Sequence, residues 1–170
     1  MLNVLFINGW GGAITSTSLA GLRNRTVAEF GREIYAPPPV NHTETGLILR
    51  YIEKWKNAQI LVGLSCGCST INLIATHAAK GERIPFAMYF SPSMWCRVGH
   101  VRQLVERAAE VHSTPADPFN FGSRRLIVPV AGNTKTTFDP PIRSGRPHGF
   151  TPDSPEAQRV LFGVIRGSLD

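Results

Sequence analysis

The sequence predicts an α/β protein: a three-layer sandwich with a mostly parallel sheet of about five to six strands and helices on both faces. Residues 1–170 read as one domain. Three observations carry this. Strand-like segments alternate with segments of helical period along the chain. The strand-like segments are apolar runs without two-residue alternation, as expected when both faces of a parallel sheet are covered. Finally, residues 59–72 read as strand, sharp turn and helix in succession.

The elements follow in order. Residues 2–8 are an apolar first strand, followed by the glycine-rich turn Asn8-Gly9-Trp10-Gly11-Gly12. Residues 16–31 look helical to about Arg25 and irregular beyond it. Glu33 to Ala36 is a short strand, stopped by Pro37-Pro38-Pro39. From Thr43 to Asn57, the residues Leu47, Ile48, Tyr51, Ile52 and Trp55 recur at helical spacing, with Thr43 as the cap. Ile60-Leu61-Val62 enters the serine-bearing turn, and a helix runs from there to about Lys80-Gly81. Ile84 to Phe90 is the fourth strand, and Ser91 to Trp95 a loop. Val101, Leu104, Val105 and Ala108 predict a helix from Val98 to Val111. A loop over 112–123 precedes a fifth strand, Leu126 to Ala131. A long loop over 132–152 leads to a last helix from Pro155 to Leu169, with Asp153 as its cap.

Composition excludes several classes. At 42% hydrophobic and 18% charged the chain is neither disordered nor membrane-spanning in character. Nothing in it approaches the ~18 apolar residues of a membrane span. The N-terminus lacks a basic region and a cleavage site, so it reads as a strand and not a signal peptide. The net charge of +6 comes from scattered arginines rather than a basic block interleaved with aromatics, so no specific nucleic-acid partner is expected. Cys66, Cys68 and Cys96 make neither a disulfide framework nor a zinc pattern. They read as small buried residues in a reducing compartment, which predicts a cytoplasmic location.

Gly63-Leu64-Ser65-Cys66-Gly67 has the Gly-x-Ser-x-Gly form of a nucleophile elbow. A serine forced into so tight a turn crowds its neighbours two positions either side, where only residues without a bulky side chain fit. The turn would lift the hydroxyl above the sheet, at the positive end of a helix. The plainer alternative is an ordinary turn in which Ser65 caps that helix. The glycine turn after the first strand is no dinucleotide fingerprint. Gly-x-Gly-x-x-Gly fails at Ile14, and the phosphate-loop lysine is missing. In an open parallel sheet ligands bind beyond the carboxyl ends of the strands. Ser65, the glycine turn and the 132–152 loop, with Asp139 and His148, converge there.

On these residues the chain resembles the α/β-hydrolase superfamily, as a small serine esterase-like member without a lid. The elbow matches at Gly63-Leu64-Ser65-Cys66-Gly67, the first family turn at Asn8-Gly9-Trp10-Gly11-Gly12, and the final histidine at His148-Gly149-Phe150. The order serine, acid, histidine also agrees. The resemblance implies Ser65 as nucleophile, His148 as general base, and the amides of Trp10 and Cys66 as the oxyanion hole. It implies cleavage of a small-molecule ester or thioester with no metal or organic cofactor. The acid departs from the pattern, because Lys135 stands where the family's aspartate is expected. Asp139 is the nearest replacement and Asp117 the alternative. Asn8 replaces the family's usual histidine. A hydrolase-like module without activity, and a nucleotide- or anion-binding α/β protein, remain as rival expectations. The sequence leaves the oligomeric state open.

Overall fold

The computed structural model describes residues 1–9, 12–54, 59–77, 84–92, 100–101, 105–114, 128–129 and 135–170. Along the chain these form β1 (Leu2–Asn8), α1 (Gly12–Phe30), a 3-10 turn (Gly31–Glu33), β2 (Ile34–Tyr35), β3 (Val40–Asn41) and α2 (Thr45–Lys54). Next come β4 (Gln59–Leu64), α3 (Cys66–His77), β5 (Ile84–Phe90), β6 (His100–Val101), β7 (Val105–His112) and β8 (Val128–Pro129). The chain ends with β9 (Thr137–Phe138), β10 (Ile142–Arg143), a 3-10 helix (His148–Asp153) and α4 (Pro155–Leu169).

Eight strands make one parallel sheet in the order β10-β7-β5-β4-β1-β2, with β3 also on β1 and β9 also on β7. From β1 the chain goes to β2 and β3 on one side, then to β4 on the other. That reversal makes a topological switch point at the carboxyl ends of β1 and β4, the place where open α/β sheets bind ligands.

Three layers follow from the alternation of side chains along the strands. Val4, Phe6, Val62, Leu64, Met88 and Phe90 pack with α1 through Leu19 and Leu22, and with α4 through Leu161 and Ile165. Leu5, Ile7, Leu61, Ala87 and Tyr89 pack on the other face with Ile48 of α2 and Ile71 of α3. The expected α/β class and layering are therefore present, and the strands Leu2–Asn8 and Ile84–Phe90 and the helix Pro155–Leu169 match the sequence reading.

Several elements differ. The described residues of 98–111 are strand and not helix: β6 takes His100–Val101, and β7 takes Val105–His112 and pairs with β5 from Ile84↔Val105 to Phe90↔Val111. The helical spacing of Val101, Leu104, Val105 and Ala108 is overridden by burial, since residues 108–112 are buried between two strands. Of the expected fifth strand, 126–131, the described residues Val128–Pro129 are extended and pair with β6 in a separate two-stranded sheet. The 132–152 loop instead carries β9, β10 and the last 3-10 helix. Helix α1 runs unbroken to Phe30. At α2 the first-turn amides of Leu47 and Ile48 donate to the Glu44 carbonyl, and Asn41 Oδ1 accepts from Thr43, so Thr43 is not the cap. Ser154 caps α4 by accepting from the Ala157 amide, while Asp153 pairs with Arg25.

Candidate functional site

The site begins with the backbone of Ser65. Its φ is +54°, a left-handed conformation that costs a residue with a side chain about 1–3 kcal/mol. Hydrogen bonds hold it there. Its amide donates to Phe90 O at 2.9 Å, tying the turn to β5, and its carbonyl accepts from the Cys68 amide at 3.0 Å, opening α3.

The flanking glycines are required by space. A Cβ on Gly63 would sit 2.8 Å from both the Gly67 carbonyl carbon and Ile71 Cδ1. A Cβ on Gly67 would lie 2.1 Å from Ile7 O. A Cβ on Gly9 would lie 2.6 Å from Ser65 Cβ and 3.0 Å from the Cys66 amide nitrogen. The main chain after β1 thus lies directly against the serine and the first amide of α3. That amide has no acceptor within its own helix. The Asn8 side chain is buried beside this turn, and its Oδ1 has no hydrogen-bond partner among the described residues. Trp10, expected to complete the oxyanion hole, lies outside the described residues, as does Asp117.

His148 opens the last 3-10 helix, which follows β10, the strand beside β7. Three tethers hold this turn over the sheet. Ser18 Oγ of α1 donates to Gly149 O at 2.6 Å. Seven residues on, on the same stripe of α1, Arg25 donates to Pro152 O at 3.3 Å and pairs with Asp153 at 3.2 Å. From the sheet, Ser91 Oγ donates to Thr151 Oγ1 at 3.0 Å, and Thr151 Oγ1 donates to His148 O at 3.2 Å. Ser91 directly follows Phe90, the residue whose carbonyl accepts from Ser65. The His148 turn is therefore tied to the end of β5, the strand next to the one that carries the serine.

Asp139 is not brought to this place. Its carboxylate makes a two-pronged pair with Arg107, Nε to Oδ1 at 2.8 Å and Nη2 to Oδ2 at 2.9 Å. The Asp139 amide donates to Ala108 O at 2.9 Å. Ala108 is level with Leu61, whereas Val111 is level with Leu64, the residue before the serine. Asp139 is thus set back by three residues, about 10 Å along the sheet. The carboxylate raises the Arg107 pKa, chiefly through this hydrogen bond.

The strand that replaces the expected helix brings a second histidine to the carboxyl ends. His112 is one residue beyond Val111, with Nε2 at 3.0 Å from Glu110 Oε1, and both side chains are buried. Glu110 is level with Tyr89 and lies on the α2 and α3 side of the sheet. Burial, with Glu110 nearby, raises the pKa of the Cys68 thiol, and burial raises that of the Tyr89 hydroxyl. Cys68 is a free thiol, with Sγ 3.3 Å from Gly63 O. Cys66 is in a disulfide, which departs from the expected set of reduced thiols. Cys96 lies outside the described residues.

Sequence reasoning missed Ser18, Ser91, Thr151 and the Glu110–His112 pair. Ser91-Pro92 follows a strand as Ser65 does, but without flanking glycines to mark its turn. Among the described residues no group of three His, Cys, Asp or Glu is placed to hold a metal, and no helix is long and apolar enough to cross a membrane. The chain matches no protein-family model and no curated protein.

Proposed function

We propose that the chain is a serine hydrolase of the α/β-hydrolase type, cleaving an ester or thioester through an acyl-serine intermediate. One observation carries the reading: Ser65 sits at φ +54° at the carboxyl end of β4, between glycines whose Cβ atoms would collide with the turn. A helix cap needs no such backbone. Support comes from the order of the strands. Serine follows β4, and the histidine turn follows β10, two strands beyond β5 at the sheet edge.

In this reading His148 takes the Ser65 proton as Oγ adds to the carbonyl carbon. The amides of Cys66 and Trp10 stabilise the oxyanion. The carbon–oxygen or carbon–sulfur bond to the leaving group breaks, and His148 returns the proton to that group. Water, deprotonated by the same histidine, then releases the acid and restores Ser65. The acid partner is Asp117, since Asp139 is committed to Arg107. Asp117 follows Thr114 by three residues, and the Thr114 amide donates to Arg146 O, two residues before His148. The site works on a small substrate; the cytoplasmic expectation rests on reduced thiols, and the disulfide at Cys66 removes that ground.

The testing experiment is labelling with a fluorophosphonate, followed by mass mapping of the adduct. Stoichiometric modification of Ser65, lost in Ser65→Ala, is expected. A folded chain that takes no label at Ser65 excludes the hydrolase reading and leaves a binding module.

A further inference from the structure

The structure assigns a positioning role to Ser91 and Thr151, whose hydroxyls form a relay that fixes the His148 main chain over the end of β5, one strand from Ser65. This rests on the reading of Ser65 as nucleophile and His148 as its base.

Ser91 is the second residue with a side chain in the left-handed region, at φ +43°. Glycine takes that backbone without steric cost. The strained serine places a hydroxyl where the straight course of β5 would not. Its amide donates to Val111 O at 2.7 Å, so its backbone is pinned to β7. Ser91 and Thr151 are both fully buried. A buried hydroxyl needs a partner, and here each partner is the next member of the relay. Ser91 donates to Thr151, and Thr151 donates to the His148 carbonyl. Donation by one hydroxyl strengthens donation by the next, so the chain acts as a unit.

The other tethers of this turn come from α1, on the layer beside the sheet. The Ser91–Thr151 relay comes from β5 itself, the strand that also holds the Ser65 amide. It therefore fixes the base and the nucleophile against a common carbonyl-bearing strand end. Acyl transfer is sensitive to this: a displacement of about 1 Å costs on the order of a hundredfold in rate. Neither hydroxyl is asked to touch substrate; both act through His148.

The test uses the full chain, p-nitrophenyl acetate turnover and fluorophosphonate labelling. Thr151→Val deletes the hydroxyl at nearly constant shape, and Thr151→Ser keeps it. Thr151→Val should lower kcat about ten- to a hundredfold with KM little changed, and Thr151→Ser should recover most of the loss. In a His148→Ala background, Thr151→Val should have no further effect, because its only route to the chemistry is gone. A purely structural role would instead subtract the same factor in both backgrounds. Should Thr151→Val not fold, Ser91→Gly removes the first hydroxyl while easing the backbone, and the same comparison is made with it. Full turnover in the hydroxyl-deleted variant, or equal losses with and without His148, overturns the relay alone. An unlabelled Ser65 in the unaltered chain overturns the hydrolase reading and the relay with it.

Discussion

Gly63 and Gly67 let the Ser65 turn exist, and their replacement gives the sharpest test of its geometry. Gly67→Ala puts a methyl 2.1 Å from a carbonyl oxygen of β1, the central strand of the switch point. The backbone cannot yield there without breaking the pairing of β1 with β4. We expect Gly67→Ala to lose at least 3 kcal/mol or fail to fold, measured by denaturant unfolding. Gly46 is the control: a Cβ there meets nothing within 4 Å, and Gly46→Ala in α2 should be neutral or stabilising. These glycines were legible in the sequence because residue type itself records the crowding. The Ser91 turn was not, because proline after serine does not announce a left-handed backbone. Cys68 offers a second test. Burial and Glu110 keep its thiol protonated above the ordinary range, so it should resist alkylation in the native chain and react once unfolded. The folded chain then holds this proton to higher pH than the unfolded chain. Stability should accordingly fall as pH rises past the ordinary thiol pKa, and Cys68→Ser should flatten that decline.

β7 shows how far local pattern can mislead. Val105-Glu106-Arg107-Ala108-Ala109-Glu110 is rich in good helix formers, and its apolar residues fit a helical stripe. Pairing with β5 on one side and with β9 and β10 on the other decides against it. Those two partners form one interrupted edge. Phe138 is level with Ala108 and Ile142 with Val111, so the edge has one residue more than β7 over that stretch. Pro140-Pro141, without amide hydrogens, falls in the interruption. The opposite edge repeats the device at Pro37-Pro38-Pro39, between β2 and β3. Prolines and very short strands at both edges oppose pairing with a second sheet. The altered strand also bears on the acid in the proposed reading. β7 ends at His112, at the carboxyl end of the sheet where Ser65 lies, and Asp117 follows it by five residues in sequence. Asp139→Asn should therefore leave ester turnover within about twofold and cost about 1 kcal/mol of stability, since Arg107 is half-exposed although Asp139 is only 15% exposed. Asp117→Asn should cost up to four decades of turnover if the carboxylate fixes the histidine tautomer. A large loss in Asp139→Asn would return the role to that residue.

The three layers, the central strands and the elbow were legible because each is written in a continuous stretch of sequence. What holds the His148 turn over the sheet was not, because Ser18, Ser91 and Thr151 are joined only by the folded chain, at separations such as 131 and 60 residues. This distribution has a measurable consequence for stability across the sheet. β1, β4, β5 and β7 have neighbours on both sides, and their buried runs face helices or one another. β2, β3, β9 and β10 are two residues each and lie at the edges. Amide exchange opens weakly packed units first and the central strands only with global unfolding. Native-state hydrogen exchange should thus place Leu61, Val62, Ala87 and Met88 in the slowest class. Ala108 and Ala109 belong with them if β7 is an inner strand, whereas an exposed outer helix would exchange at far lower protection. The edge residues Tyr35 and Phe138 should exchange well before these. Thr151→Val should speed exchange at Phe150 and Ser154, whose amides close the His148 turn onto Pro147 O and Thr151 O, while leaving Val62 and Met88 unchanged. Loss of protection in the central strands of that variant would mean that the turn is part of the cooperative core, and not a separately held support for the histidine.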